Sequence, residues 1–368
     1  MKVLVTGANG FIGINLVLRL SEQEGTEVIT FVRGQDDVAL IEALAQSDAV
    51  VHLAGENRPA DIQSFSIVNK GLTERICQIL KVLGKTIPVL LASSAQAEQD
   101  NPYGRSKLAA EQVLKALAYY NGNPVSIYRL PGVFGKWCKP NYNSVVATFC
   151  YNKARDLPVQ INDSSACVRL VYIDDVVNAF LEQLAASWTG LVRPVVEPEY
   201  CITLGELSEQ IEAFKNFRST LVCERVGKGL TRSLYATYLS YLPLEKFTYS
   251  LPSHEDSRGI FVEMLKTPDA GQISFFTAHP GITRGGHYHH TKTEKFLVIK
   301  GHARFGFRNM VTNQVHHLET RGGVPQIVET VPGWTHDVTN VGDDEMVVML
   351  WANEIFDRAN PDTFSSKV

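Results

Sequence analysis

No apolar stretch in the 368 residues is long enough to span a bilayer, and the opening MKVLVTGANG loses its apolar run to Gly and Asn before a secretory core can form. A formal net charge of −4 gives no general attraction for nucleic acid or anionic membrane, so neither is an expected partner. None of the six cysteines stands in a CxxC pair, and without an export signal they read as reduced, buried thiols of a cytoplasmic protein. Histidine is scarce until late in the chain: of 10 histidines only His52 precedes residue 254.

What is present divides at the same place. A chain of 368 residues exceeds one ordinary core, and 45% hydrophobic with 20% charged residues marks a globular composition. The stretch LPLEKFTYSLPSHEDSRG has two prolines and no clear period, which places a linker at 244–253. The expected domains are therefore 1–243 and 254–368.

In the first domain, short and nearly continuous apolar runs at 3–5, 28–32, 49–53, 89–92 and 125–128 alternate with amphipathic stretches at 12–23, 62–83 and 105–120. Strands buried on both faces of a parallel sheet have this pattern, so the alternation predicts a doubly wound α/β (Rossmann) fold. Gly7-Ala8-Asn9-Gly10-Phe11-Ile12-Gly13 follows the first strand and opens a helix, an arrangement that turns backbone N–H groups toward a pyrophosphate. Glycines also mark plain turns, but the strand before and helix after favour a dinucleotide held by Gly7, Asn9, Gly10, Phe11, Ile12 and Gly13. After the second strand stands Arg33 where an acidic residue would bind a ribose 2′-hydroxyl. A guanidinium suits a 2′-phosphate, which predicts NADPH over NADH; a solvated surface arginine is the alternative.

Tyr103-Gly104-Arg105-Ser106-Lys107 puts Lys107 one helical turn from Tyr103. An ammonium beside a phenol is expected to lower its pKa, which suits a tyrosine that exchanges a proton with substrate. Ser93-Ser94 ends the strand at 89–92, where a hydroxyl is placed to hold a carbonyl against that phenol. TGANGFIG at 6–13, DAVVHLAG at 48–55, Asn69, the serine pair, YGRSK at 103–107, RLPGVFG at 129–135 and VYIDDV at 171–176 together resemble an extended short-chain dehydrogenase/reductase. The resemblance implies Tyr103 as general acid, Lys107 on the nicotinamide ribose, Ser94 orienting the carbonyl, and Leu53 and Ala54 lining the dinucleotide. Extended members of that family mostly act on nucleotide-linked sugars, and Tyr142, Asn143 and Asn162 fall where such a sugar would be covered. Ala95-Gln96-Ala97-Glu98 replaces the aromatic-glycine that usually follows the serine pair.

Beyond residue 254 the helical period disappears. Strand-like runs at 272–276, 295–299, 303–307 and 346–350, separated by Gly, Asn, Asp or Pro, predict an all-β double-sheet barrel. His287 and His289, two apart on a strand, share its inner face, while His290 points the other way. Glu294 returns to that face past a short bend and His336 arrives on a later strand. Imidazoles with one carboxylate suit a divalent transition metal, zinc first, with iron, manganese and nickel open. Any one of these histidines alone would be structural or exposed, as His302, His316 and His317 are read to be.

Gly281-x5-His287-x-His289-x4-Glu294-x6-Gly301 and Pro332-Gly333-x2-His336-x3-Asn340 resemble the two cupin motifs. Asp256-Ser257-Arg258-Gly259-x-Phe261-x-Glu263 and Thr283-Arg284-Gly285-Gly286-His287-Tyr288 also resemble the sugar-nucleotide 3,5-epimerase branch of the cupins. In that branch a histidine removes the proton beside a 4-keto group without a metal. The ligand pattern here departs from it and leaves the base open.

Over its whole length the chain resembles the CapF-type bifunctional enzymes of capsular polysaccharide and O-antigen synthesis. The resemblance implies a UDP-4-keto-6-deoxy-N-acetylhexosamine substrate, C3 epimerisation by the cupin half and NADPH-dependent reduction of the C4 ketone. It further implies UDP-2-acetamido-2,6-dideoxy-L-talose as product, on the route to UDP-N-acetyl-L-fucosamine, and a homodimer. Elementary chemistry fixes the order, since the C4 ketone acidifies the C3 proton and its reduction removes that acidity. Three competing classes are a reductase whose cupin is structural or dimerising, an NADP-sensing regulator and an iron-dependent oxygenase. The intact Ser94, Tyr103 and Lys107 weigh against the regulator.

Overall fold

The computed structural model describes residues 1–368 except 58–60, 62, 253, 257–258, 262–264, 266–270 and 355–358. Its contacts gather into two compact units, Met1–Phe134 with Val168–Cys201, and Gly135–Cys167 with Ile202–Val368.

In the first unit, β1 (Lys2–Thr6), β2 (Glu27–Phe31), β3 (Ala49–His52), β4 (Val89–Ser94), β5 (Val125–Leu130) and β6 (Leu191–Val192) form one sheet in the order β2-β1-β3-β4-β5-β6. Every neighbouring pair is parallel. Val3, Leu4, Val5, Val50, Val51, Val89 and Leu90 are fully buried, which explains why these strands read as unbroken apolar runs rather than alternating ones. The strand order reverses between β1 and β3, and at such a switch point a doubly wound sheet opens a crevice for its ligand. Helix α1 (Phe11–Ser21) starts there with Gly10 as N-cap, no capping side chain and no acidic residue in its first turn. Its positive end is thus left to an anion. Helix α2 (Pro102–Asn121) begins three residues before the amphipathic period at 105, because the Asn101 side chain accepts from the Gly104 N–H and Pro102 sits in the first turn. That early start puts Tyr103 and Lys107 on one helix.

The second unit contains ten labelled strands in two antiparallel sheets, a cupin-like β domain. They are β7 (Thr248–Ser250), β8 (Gln272–Ala278), β9 (Thr283–Tyr288), β10 (Glu294–Lys300), β11 (His302–Asn309), β12 (Val315–Arg321), β13 (Gln326–Glu329), β14 (Trp334–Asn340), β15 (Met346–Ala352) and β16 (Phe364–Ser365). One sheet runs β7-β13-β10-β15-β8 and the other β12-β11-β14-β9-β16. The stretch 244–253 contributes β7, paired with β13, and the Phe247 ring packs on Phe307 and Trp334 at 5.6 and 5.2 Å.

Strand β10 is buried on both sides at its start. Glu294 and Phe296 share one face, whereas Lys295 turns outward and lays its ammonium 4.1 Å from the Phe217 ring centroid of helix α3 (Leu204–Thr220). Lys295 and Arg218 both hydrogen-bond the Glu329 carboxylate, and Lys295 and Glu329 are each 1% exposed. Burial would raise the Glu329 carboxyl, but the two cations hold it below its ordinary value. Replacing Glu329 by Ala strands two buried cations, so the second unit should lose about 3–5 kcal/mol of stability. Denaturant unfolding checks this; a loss under about 1 kcal/mol would contradict the role given to the pair.

Candidate functional site

The nucleotide cradle is built from what the glycines lack. Gly7 has φ +69°, and a Cβ there would lie 2.7 Å from the Ala54 nitrogen, while a Cβ on Gly13 would lie 2.3 Å from the Gly7 carbonyl oxygen. The loop therefore closes on Leu53-Ala54 and on itself only without side chains, and Asn9 and Gly10 stay exposed at the helix start. A bare-backbone cradle beneath an uncapped helix fits a dinucleotide pyrophosphate. Arg33 is exposed after β2, and its Nη2 donates to Glu56 Oε2 at 2.8 Å.

A buried hydrogen-bond chain fixes the end of β3. Thr73 Oγ1 donates to the Asn69 carbonyl, so it accepts from His52 Nε2 at 3.0 Å. His52 Nδ1 is then the acceptor for Thr6 Oγ1 at 2.7 Å, and Thr6 Oγ1 in turn accepts from the Leu53 and Ala54 N–H groups. Burial drives the His52 pKa down to about 3, with the Lys107 charge adding to it, so the imidazole stays neutral as this chain requires. Asn69 extends the network: its amide accepts from the Glu56 N–H and donates to Ser106 Oγ, which donates to the Tyr103 carbonyl.

Ser94, Tyr103 and Lys107 gather where β4 ends and α2 begins. The Ser94 hydroxyl lies near enough to the Tyr103 phenol to lower its pKa and accepts from the Gln96 N–H. Lys107 is buried, and its Nζ donates to the Ala92 carbonyl at 3.0 Å. Burial lowers the Lys107 pKa to about 8, against the Glu111 carboxylate that raises it. The expected electrostatic effect on the phenol is not what this geometry gives. Burial holds the Tyr103 pKa above its ordinary value, the Ser94 hydroxyl pulls it back, and Lys107 is not among the causes. Tyr103 is therefore a protonated phenol near neutral pH. Tyr142, Asn143 and Asn162 belong to the second compact unit.

In the second unit, His287, His289, Glu294 and His336 each offer a ligand atom, all within 4.8 Å of one another. Glu294 Oε2 lies 3.2 Å from His289 Nε2 and 3.4 Å from His336 Nε2. The His336 Nε2 is buried yet too poorly aligned with that oxygen for a hydrogen bond. The His287 and His289 ring centroids are 4.7 and 5.1 Å from that of His336. Burial lowers the His287 pKa to about 3, His336 and His289 adding to it, so that ring is neutral. Three imidazoles facing one buried carboxylate, with an unsatisfied ring nitrogen among them, fit a divalent cation of the zinc type. His290 turns outward against Tyr288 and Phe364. Asn340 is no ligand: it holds a turn by donating to the Ala278 and Asp344 carbonyls. His302 pairs with Glu319, His316 packs on Phe247 and His317 is exposed. Ser257, Arg258 and Glu263 of the epimerase-like stretch lie outside the described residues. Of the six cysteines expected to be buried, Cys77, Cys138, Cys150 and Cys223 are, whereas Cys167 and Cys201 are exposed on short strands. No described helix is long and apolar enough to cross a membrane.

Residues 3–192 match the NAD dependent epimerase/dehydratase family, and residues 254–364 match the polysaccharide biosynthesis C-terminal domain. The chain is 58% identical over 368 residues to the UDP-2-acetamido-2,6-beta-L-arabino-hexul-4-ose reductase of Pseudomonas aeruginosa, covering 100% of this chain and 99% of that protein. It is similar to the crystal structure of the capsular polysaccharide assembling protein CapF from Staphylococcus aureus, with 41% identity, a TM-score of 0.68 and coverage of 100% of both chains. A structure of MoeE5 in complex with UDP-glucose and NAD matches 58% of this chain and 81% of its own, with 25% identity and a TM-score of 0.53.

Proposed function

The chain belongs to the NAD-dependent epimerase/dehydratase family as a full-length relative of CapF and is an oxidoreductase; from that premise we propose that it epimerises C3 of a UDP-4-keto-6-deoxy-N-acetylhexosamine and then reduces the C4 ketone with NADPH. The product is UDP-2-acetamido-2,6-dideoxy-L-talose. The observation that carries this reading is the presence in one chain of a Ser94–Tyr103–Lys107 constellation and a buried three-histidine, one-glutamate cluster. The full-length Pseudomonas relative is named as a reductase of a hexul-4-ose, a sugar with its ketone at C4.

In the reduction, NADPH supplies the hydride. Ser94 orients the ketone oxygen, and Tyr103 delivers a proton to that oxygen as it becomes the C4 hydroxyl. The raised phenol pKa keeps this proton in place until it is needed. Lys107, anchored on Ala92 and still cationic near neutral pH, holds the ribose.

In the epimerisation, a base takes the C3 proton as the C3–C4–O4 unit becomes an enolate, and a solvent-exchangeable proton delivered to C3 on the opposite face inverts it. A zinc-type cation on His287, His289, Glu294 and His336 would supply positive charge beside the enolate oxygen. Phe296 packs 6.3 Å from His336 and 5.6 Å from Phe305, an apolar wall beside the cluster.

Arg33 should confer a preference for NADPH, its free donors taking the 2′-phosphate while Glu56 fixes one side of the fork. Arg33→Asp should remove or reverse that preference, read as the ratio of kcat/KM for the two cofactors. Equal efficiency of the native enzyme with NADPH and NADH would contradict the assignment. The reaction itself is tested by NMR of the product from the UDP-4-keto sugar and NADPH. Inverted C3 with a new C4 alcohol is expected; retained C3 would leave a reductase whose barrel is structural.

A further inference from the structure

The four presumed metal donors do not hold themselves in place, and the last residues of the chain bear on them. Strand β16 pairs with β9, aligning Ser365 with His287 and Phe364 with Tyr288. Just before it, Asp362 turns both of its acceptor groups toward the loop between His289 and Glu294. Its Oδ1 accepts from the His290 N–H at 2.9 Å, and its Oδ2 accepts from the N–H groups of Thr291 and Lys292 at 2.6 and 2.7 Å. Three successive backbone donors thus converge on one carboxylate. Thr291 Oγ1 adds a fourth hydrogen bond at 2.9 Å. Arg232, on helix α4 (Gly229–Ser240), closes the arrangement by donating to Thr291 Oγ1 and to Glu354 Oε2, with its Nη2 3.9 Å from Asp362 Oδ2.

The Asp362 backbone carbonyl does a second job. It lies 2.5 Å from His289 Nδ1. A carbonyl can only accept, so Nδ1 carries a proton, and Nε2, 3.2 Å from Glu294 Oε2, is the ring nitrogen turned toward the cluster. The gripped loop also carries Lys292, whose ammonium lies 3.0 Å from Glu294 Oε1, the oxygen turned away from the histidines. Freeing this loop would therefore loosen His289 and Glu294 together.

We propose that Asp362 is a positioning residue for the metal centre, fixing the 290–292 loop through its carboxylate and meeting the His289 ring through its carbonyl. This rests on the metal reading above. A partner that orients a ligating imidazole is typically worth about 10–100-fold in metal affinity.

The test uses the full-length chain and zinc alone. Affinity is measured against a competing chelator for the native protein, Asp362→Ala, Asp362→Asn and His289→Ala. Asp362→Ala, which removes the carboxylate and keeps the backbone carbonyl, should bind zinc about 10–100-fold more weakly. Asp362→Asn, which keeps an acceptor but not the charge, should fall between. If His289→Ala binds zinc as the native protein does, the metal reading fails and the clamp fails with it. If His289→Ala loses zinc while Asp362→Ala keeps native affinity, the metal reading stands and the clamp alone is wrong. Should Asp362→Ala not fold, native affinity in Asp362→Asn overturns the proposal.

Discussion

Replacing Tyr103 by Phe should lower ketone reduction by about 10²–10⁴-fold, the usual cost of removing a general acid, with NADPH binding nearly unchanged. The phenol contributes one proton and little volume, and its ring would keep the 5.7 Å contact with Phe65. The cradle formed by Gly7, Gly13 and the start of α1 does not depend on that hydroxyl. NADPH oxidation in the presence of the keto sugar, with fluorescence titration of the cofactor, separates the two quantities. Oxidation at the native rate would show that another group delivers the proton.

The other large effect is expected at the barrel. The native protein should carry a stoichiometric divalent ion, and His289→Ala should arrive nearly free of it by elemental analysis. The remaining donors would then surround a buried carboxylate without a shared cation, so thermal unfolding of the second unit should come earlier than in the native protein. Unchanged metal content would refute the ligand set. In the same variant, reduction of a ketone that needs no epimerisation should persist, because Ser94, Tyr103 and Lys107 lie in the other compact unit.

Much of this was legible in the sequence wherever one local pattern carried the information. Burial on both faces makes a strand read as an apolar run, so the parallel sheet could be recognised from Val3, Leu4 and Val5 onward. His287, His289, Glu294 and His336 come together as motif spacing suggested, although β9 ends at Tyr288 and His289 stands just past it, so the two-residue strand period is not what joins the pair. The start of α2 at Pro102 was less legible, since it depends on a cap from Asn101 rather than on apolar period. The sign of the Tyr103 shift could not be read at all, because it depends on how deeply the fold buries the ring and on where Lys107 turns. Residues that act across long separations were equally silent. Asp362 grips the His290 N–H from 72 positions away, and Arg218 reaches Glu329 across 111. The chain through Thr6, His52, Thr73 and Asn69 joins residues with no shared period, and only tertiary structure brings them together.

Proton exchange in deuterated water tests the division of labour most directly. The full-length chain is incubated with the UDP-4-keto-6-deoxy-N-acetylhexosamine and no nicotinamide, and C3 is followed by NMR. Enolisation needs a base and an electrophile but no hydride, so deuterium should appear at C3. Tyr103→Phe should label C3 as the native chain does, and His289→Ala should label it slowly or not at all. Labelling that survives in His289→Ala but disappears in Tyr103→Phe would place the epimerisation in the reductase site and contradict the account.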